Sequence, residues 1–255
     1  MESGVCTGPE NADICYAAGA DFIECHAQNF LRPADPLWQK PFEPRALPLP
    51  IAAYNCFLPA DLKITGPSVD ANRIKAYAAQ ACKRAKEMNS SVIVLGSGGA
   101  RNVPDGWPRD KAEEQLIEVI RMLGPLARMS SLTIALEPLN TGESNILNCI
   151  TVGMDYLRRA RTAGVSILAD FYHMALDEEP LDALDEAGRL LSHVHIAEPK
   201  GRIAPRPGGT NLRPFFAKLK AIGYDKRISL ECSWEDLKKQ LRPTLDFLRS
   251  EWEAA

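Results

Sequence analysis

Short apolar runs rich in Val, Ile and Leu alternate along the chain with longer stretches in which apolar residues recur every three or four positions. The runs DFIEC (21–25), PIAAYNC (50–56), SVIVLGS (91–97), LTIALEP (132–138), VSILADF (165–171), SHVHIAE (192–198) and RISLECS (227–233) read as strands, and the opening ESGVCTG adds an eighth. Near-continuous strand hydrophobicity means burial on both faces, hence parallel strands covered by helices. Eight such runs in 255 residues give one unit per ~32 residues, close to the ~30 of a βαβ element. The pattern predicts an α/β fold, a closed (β/α)8 TIM barrel forming a single domain over residues 1–255, with no linker. An open doubly wound sheet is the competing architecture. It usually carries GxGxxG after the first strand, and CTGPEN does not match.

Helices fill the intervals. Asp70 caps a predicted helix over 70–89 whose stripe is Ile74, Tyr77, Ala78, Ala81, Ala85 and Met88. Leu116, Ile117, Ile120, Leu123 and Ala127 form another over 110–129, which Gly124-Pro125 is expected to kink or end. The last helix is expected to carry Trp234, Leu237, Leu241, Leu245 and Leu248. Residues 27–49 are too proline-rich for one regular helix and read as a long irregular connection.

Composition narrows the function. At 45% hydrophobic and 25% charged the chain is an ordinary globular one, and its net charge of −3 lacks the basic excess of a nucleic-acid binder. No apolar run approaches the ~20 residues of a membrane span, and the first residues have no basic n-region or apolar h-region. Seven cysteines without a CxxC pair argue against a disulfide framework or a structural zinc site. The expectation is a cytoplasmic protein without nucleic-acid or membrane partners.

Strand parity then locates chemistry. Alternate residues share a face, so Thr133, Ala135 and Glu137 point one way, as do Ser166, Leu168 and Asp170, His193 and His195, and Ser229 and Glu231. Strands five to eight therefore end in an inward Glu137, Asp170, His195 and Glu231, on the rim where such barrels gather their reactive groups. Any one of them alone is equally well a strand-end polar group bonded to a loop; matched parity on four adjacent strands favours a shared site. Three crowded carboxylates repel unless a cation neutralises them. With one imidazole they make a hard, oxygen-rich site for one divalent ion, Mn²⁺ foremost, with Mg²⁺, Co²⁺ or Zn²⁺ as alternatives.

The segments ALEPLNTGES, ADFYHM, HVHIAEPKGR and SLECSW resemble the xylose isomerase-like TIM barrels, within them the sugar (phosphate) isomerases and epimerases, including ketose 3-epimerases and hydroxypyruvate isomerases. The resemblance covers most of the chain. It implies that Glu137, Asp170, His195 and Glu231 ligate the metal, that Glu137 and Glu231 are also the catalytic acid/base pair, and that Glu143 and His173 hold substrate hydroxyls. An arginine after the seventh strand is implied to bind sugar. Arg202 lies one place off that spacing, with Lys200 and Arg206 as substitutes. By the same resemblance the partner is a small sugar or sugar phosphate, and the assembly a homodimer or homotetramer.

The chemistry is coherent on its own terms. Removing a proton beside a carbonyl creates an enediolate, a metal stabilises that charge, and two carboxylates share abstraction and delivery. Return to the same carbon is epimerisation, and 3-epimerisation of a ketose is the favoured expectation; return to the neighbouring carbon is isomerisation. A lyase or deglycosylating enzyme on an oxidised sugar, and a non-catalytic sugar-binding barrel, are the alternatives. A tri-zinc abasic-site endonuclease of the same superfamily needs more than the four histidines present, His26, His173, His193 and His195.

Weaker signals surround this set. His193 reads as a hydrogen-bonded interior residue one layer below His195. His26, Glu24 and Asn55 end the second and third strands and are secondary candidates for substrate contact. GSGGAR (96–101) and APRPGGT (204–210) resemble anion-binding loops, although glycine-rich turns are common for steric reasons alone. Phe30, Trp38 and Trp107 are candidate apolar walls.

Overall fold

The computed structural model describes residues 1–255. Eight parallel strands, β1 (Glu2–Cys6), β2 (Phe22–His26), β3 (Ile51–Asn55), β4 (Val92–Leu95), β5 (Thr133–Leu136), β6 (Val165–Asp170), β7 (Leu191–Ile196) and β8 (Arg227–Leu230), close into a barrel in sequence order. Closure is made by β1 on β8, with Glu2 opposite Arg227 and Val5 opposite Leu230.

Packing divides at the barrel wall. The apolar interior is small, namely Ala53, Val92, Val94, Ala135 and Leu168. The main core of 64 buried residues lies between the strands and their helices. Above the small plug the inward positions turn polar: Glu24, His193 and Ser229 are completely buried, and the four rim residues follow. Polar side chains in so dry a space must satisfy one another.

The helix Ala71–Glu87 starts where expected, the Asp70 carboxylate accepting from the Arg73 amide at 3.0 Å. Gly124-Pro125 does not end its helix, which runs unbroken from Arg109 to Met129. Proline removes only one amide from the ladder, and the packing of this stretch against the 162–164 turn outweighs that loss. Gly124 is required for the approach: a Cβ there would lie 2.3 Å from Thr162 Oγ1 and 2.6 Å from the Ala163 carbonyl. Trp234 falls before the final helix, Leu237–Glu253, which Asp236 caps by accepting from the Lys239 amide; Leu241, Leu245 and Leu248 are buried as the stripe predicts.

Residues 27–49 hold only the short helix Ala27–Phe30 and a 3-10 turn at Pro44–Ala46. Arg84 organises this connection, donating to the carbonyls of Leu31 and Asp35 at 2.9 and 2.7 Å, with Trp38 stacked 4.7 Å from its guanidinium. All seven cysteines are unpaired, and no helix is long and apolar enough to cross a membrane.

Gly124→Ala is expected to destabilise the protein by about 1–3 kcal/mol, the range for forced overpacking. Urea denaturation checks this; an unchanged midpoint would mean that the helix can move away from the turn freely.

Candidate functional site

Glu137 and Glu231 stand one residue past β5 and β8, while Asp170 and His195 lie near the ends of β6 and β7. One ligand atom from each of the four falls within 4.8 Å of every other. His195 is the hub: Nδ1 lies 3.0 Å from Glu137 Oε1 and 3.3 Å from Glu231 Oε2, and Nε2 meets Glu24 Oε1 at 3.0 Å on the far side. Both ring nitrogens thus face carboxylates. Burial opposes the imidazolium, but Glu24, Glu231 and Glu137 outweigh it and raise the His195 pKa well above its ordinary value.

The carboxylates respond differently to the crowding. Asp170 is pushed up to about 8, by burial and then by Glu231 and Glu137. Glu137 is raised by burial, with His195 opposing and Glu231 adding to the shift. Glu231 is held down at about 2, because His195 and Arg202 overcome its burial. Asp170 Oδ1 accepts from the Tyr172 amide at 2.9 Å, whereas its buried Oδ2 has no hydrogen-bond partner. An orphaned carboxylate oxygen inside a ring of two more carboxylates and an imidazole fits a hard divalent cation.

Of the three basic residues after β7, Arg202 is the one that enters the cavity. It takes a left-handed conformation (φ 48°), turning its side chain inward to donate to Glu231 Oε2 at 2.6 Å and Glu143 Oε1 at 3.4 Å. Lys200 and Arg206 are exposed. His173 accepts at Nδ1 from the Asn140 amide at 3.1 Å, and Asn140 Nδ2 stands 2.7 Å from the same nitrogen. Its proton therefore sits on Nε2, 3.5 Å from Asp170 Oδ2; burial, then Arg202, lowers its pKa to about 3. Glu143 accepts from Asn140 Nδ2 at 3.1 Å. Glu137, Glu143, His173, Arg202 and Glu231 line one cavity of about 570 Å³, open at the rim.

Several secondary signals resolve differently. Asn55 donates to Glu231 Oε1 at 2.9 Å, and His193 is wholly buried. His26 lines the cavity edge while accepting from the Asn29 amide at 3.3 Å. In GSGGAR, close packing explains the glycines: a Cβ on Gly96 would lie 2.1 Å from Glu137 Oε2, and one on Gly99 2.9 Å from Ala60 Cβ. In the later loop, Glu198 accepts from Thr210 N and Oγ1 at 3.0 and 2.7 Å, and Gly209 makes room for it. None of the three proposed aromatic walls lines this cavity, whose apolar side is Leu58 and Leu139, but Phe30 lines the neighbouring rim cavity with Glu24, His26 and Asn55. Trp38 lies under Arg84, Phe30 stacks on Tyr54 at 5.9 Å, and Trp107 packs against the core away from the cavity.

The residue the sequence reading missed is Arg101. Fully buried, it donates to the Glu137 and Leu147 carbonyls at 2.7 and 3.0 Å and to Ser144 Oγ at 3.2 Å, tying down the segment that carries Glu137 and Glu143. Only its place at the end of a glycine-rich turn marked it in the sequence.

A family model for the xylose isomerase-like TIM barrel matches residues 12–251, and the chain belongs to that family. It is 30% identical over 144 residues to the 3-dehydro-D-guloside 4-epimerase of Escherichia coli K12, covering 55% of each chain. It is also 30% identical over 139 residues to the L-ribulose 3-epimerase of Methylomonas sp. DH-1, covering 53% of this chain and 48% of the relative. These matches span about half the length of the relatives. The crystal structure of 3-keto-D-glucoside 4-epimerase from E. coli shares the fold, with a TM-score of 0.82 at 21% identity over 98% of this chain and 99% of the other.

The raised Asp170 pKa sets a pH dependence. An ordinary Asp titrates near ~3.9, so the metal-free fold keeps this contribution to stability below about pH 4 and loses it as pH rises through about 8. A cation that replaces the proton relieves the loss. Mn²⁺ is therefore expected to raise the thermal midpoint more at pH 8 than at pH 5, and to release protons on binding at pH 7. Equal midpoint shifts at both values, read by calorimetry, would contradict this assignment.

Proposed function

We propose that this protein is a divalent metal-dependent sugar epimerase acting by proton transfer, with a ketose as substrate and C3 as the reacting carbon. The observation that carries the reading is the pair Glu137 and Glu231, which meet at His195 Nδ1, 3.0 and 3.3 Å away, and both line one cavity with Arg202, Glu143 and His173. Pure sugar binding has no need of two crowded carboxylates. The names of the relatives, epimerases acting at carbon 4 of a dehydroguloside and carbon 3 of ribulose, support the same class.

Glu137, Asp170, His195 and Glu231 would hold the cation, Mn²⁺ being the preferred ion for so oxygen-rich a set. When bound it supplies Lewis-acid stabilisation of the oxyanion charge that develops on the substrate. The rest is the work of the chain. One of Glu137 and Glu231 accepts the proton from the carbon beside the carbonyl, and the other returns a proton from the opposite face. His173 presents its Nε2 hydrogen to a sugar hydroxyl because Asn140 occupies its other nitrogen. Arg202 donates to a sugar oxygen and Glu143 accepts from a hydroxyl, fixing which face is exposed. Leu58 and Leu139 keep one wall free of competing water. Seven unpaired thiols fit a reducing, cytoplasmic setting.

The test is incubation of the Mn²⁺-loaded protein with a panel of ketoses and ketose phosphates in D₂O. Deuterium at one carbon with inversion there is expected; loss of a substituent would make the protein a lyase, and saturable binding without exchange a binding protein. Glu137→Gln and Glu231→Gln are each expected to lower turnover by about 10²–10⁴-fold while sugar still raises the thermal midpoint.

A further inference from the structure

Beneath the four rim residues lies a carboxylate to which the reading above gives no role. Glu24, on the inner face of β2, is completely buried, and its hydrogen bonds come from three side chains of β7 and β8. Its Oε1 accepts from His195 Nε2 at 3.0 Å, and its Oε2 accepts from His193 Nε2 at 2.7 Å and Ser229 Oγ at 2.6 Å. The His193 ring stands edge-on to that of His195, centroids 5.2 Å apart.

We propose that Glu24 is the positioning residue of the metal centre, holding the proton of His195 on Nε2 so that Nδ1 is presented to the cation as a lone pair. The proposal rests on the metal-dependent reading above. A neutral imidazole carries one proton, and the nitrogen that faces the better acceptor keeps it. The two carboxylates at Nδ1, Glu137 and Glu231, are themselves ligands that a bound cation would draw onto itself. Nε2 instead points at a carboxylate outside the ligand set that cannot turn away, because His193 and Ser229 hold its other oxygen. A carboxylate behind a ligating imidazole fixes ring orientation and raises ligand basicity, and removing it typically costs 10–100-fold in metal affinity. With both Glu24 oxygens engaged, the neighbouring Cys6–Glu24–His195 grouping does not offer the cation a free carboxylate. Glu24→Gln keeps the shape but puts an amide NH₂ against one of three donors. Facing His195, that amide would drive the ring proton to Nδ1 and block the ligand atom.

The experiment measures Mn²⁺ affinity by titration calorimetry for the wild type, Glu24→Gln, Ser229→Ala and Asp170→Asn. In parallel, ¹⁵N NMR of the Zn²⁺-loaded wild type reports which His195 nitrogen bears hydrogen. Expected are a 10–100-fold loss for Glu24→Gln, a smaller loss for Ser229→Ala, where His193 still holds Glu24 Oε2, and a protonated Nε2 with a coordinated Nδ1. Wild-type affinity in a folded Glu24→Gln would overturn the proposal while leaving the metal reading intact, provided Asp170→Asn still loses the ion. If Glu24→Gln does not fold, the NMR decides: hydrogen on Nε2 supports the proposal, and hydrogen on Nδ1, or a Cys6 thiolate in the coordination shell, overturns it. A wild type that binds no divalent ion would overturn the metal reading itself, an outcome visible before any variant is made.

Discussion

Three carboxylates and a fourth beneath them share the mouth of the barrel, all but Glu231 buried, and their mutual repulsion is the constraint around which the upper half of the molecule is arranged. Each is restrained by a different means. Glu231 is pinned by Asn55 and Arg202, Asp170 doubles as the cap of the following helix, Glu137 leans on His195, and Glu24 is closed in by two imidazoles and a hydroxyl. Charges this close in a low dielectric keep a mixed protonation state unless a cation arrives. The fold therefore carries a standing electrostatic cost at the site, offset by the large apolar shell outside the barrel wall.

That division of labour explains where small and rigid residues stand. Gly96 exists because Glu137 Oε2 occupies the space a Cβ would need, and Arg101 is buried because the loop after β5 must not drift while Glu137 and Glu143 are in use. Both act on the carboxylates through shape and backbone, which makes them part of the site without touching its cavity floor. His173 is tuned in the same indirect way: Asn140 fixes its tautomer by occupying one nitrogen.

The barrel was legible in the chain because its signals are local. Eight apolar runs at near-constant spacing need no knowledge of tertiary contacts, and strand parity alone aimed Glu137, Asp170, His195 and Glu231 at a common interior. Asp70 announced its helix by the same local logic. What local pattern did not decide has the opposite origin. Gly124-Pro125 reads as a helix kink or end by propensity, yet the helix does not end there, and it packs against residues 162–163. GSGGAR reads as an anion cradle or a steric turn by composition; only the fold shows that its glycines make room for Glu137 and Ala60, distant in sequence, and that Ser97, Gly98 and Gly99 line the cavity.

What the sequence determined by itself was the number of strands, the face on which each reactive side chain stands and the rim at which they meet, since these follow from periodicities of two and 3.6 residues. Tertiary structure alone decided the partners. Arg202 rather than Lys200 or Arg206 enters the site, at a left-handed backbone turn, and Glu24 sits behind His195 because closure of β1 on β8 brings β2 within reach of β7 through the barrel interior. A hydrogen bond between residues 171 positions apart depends on the closure of the whole sheet, and no local pattern encodes it.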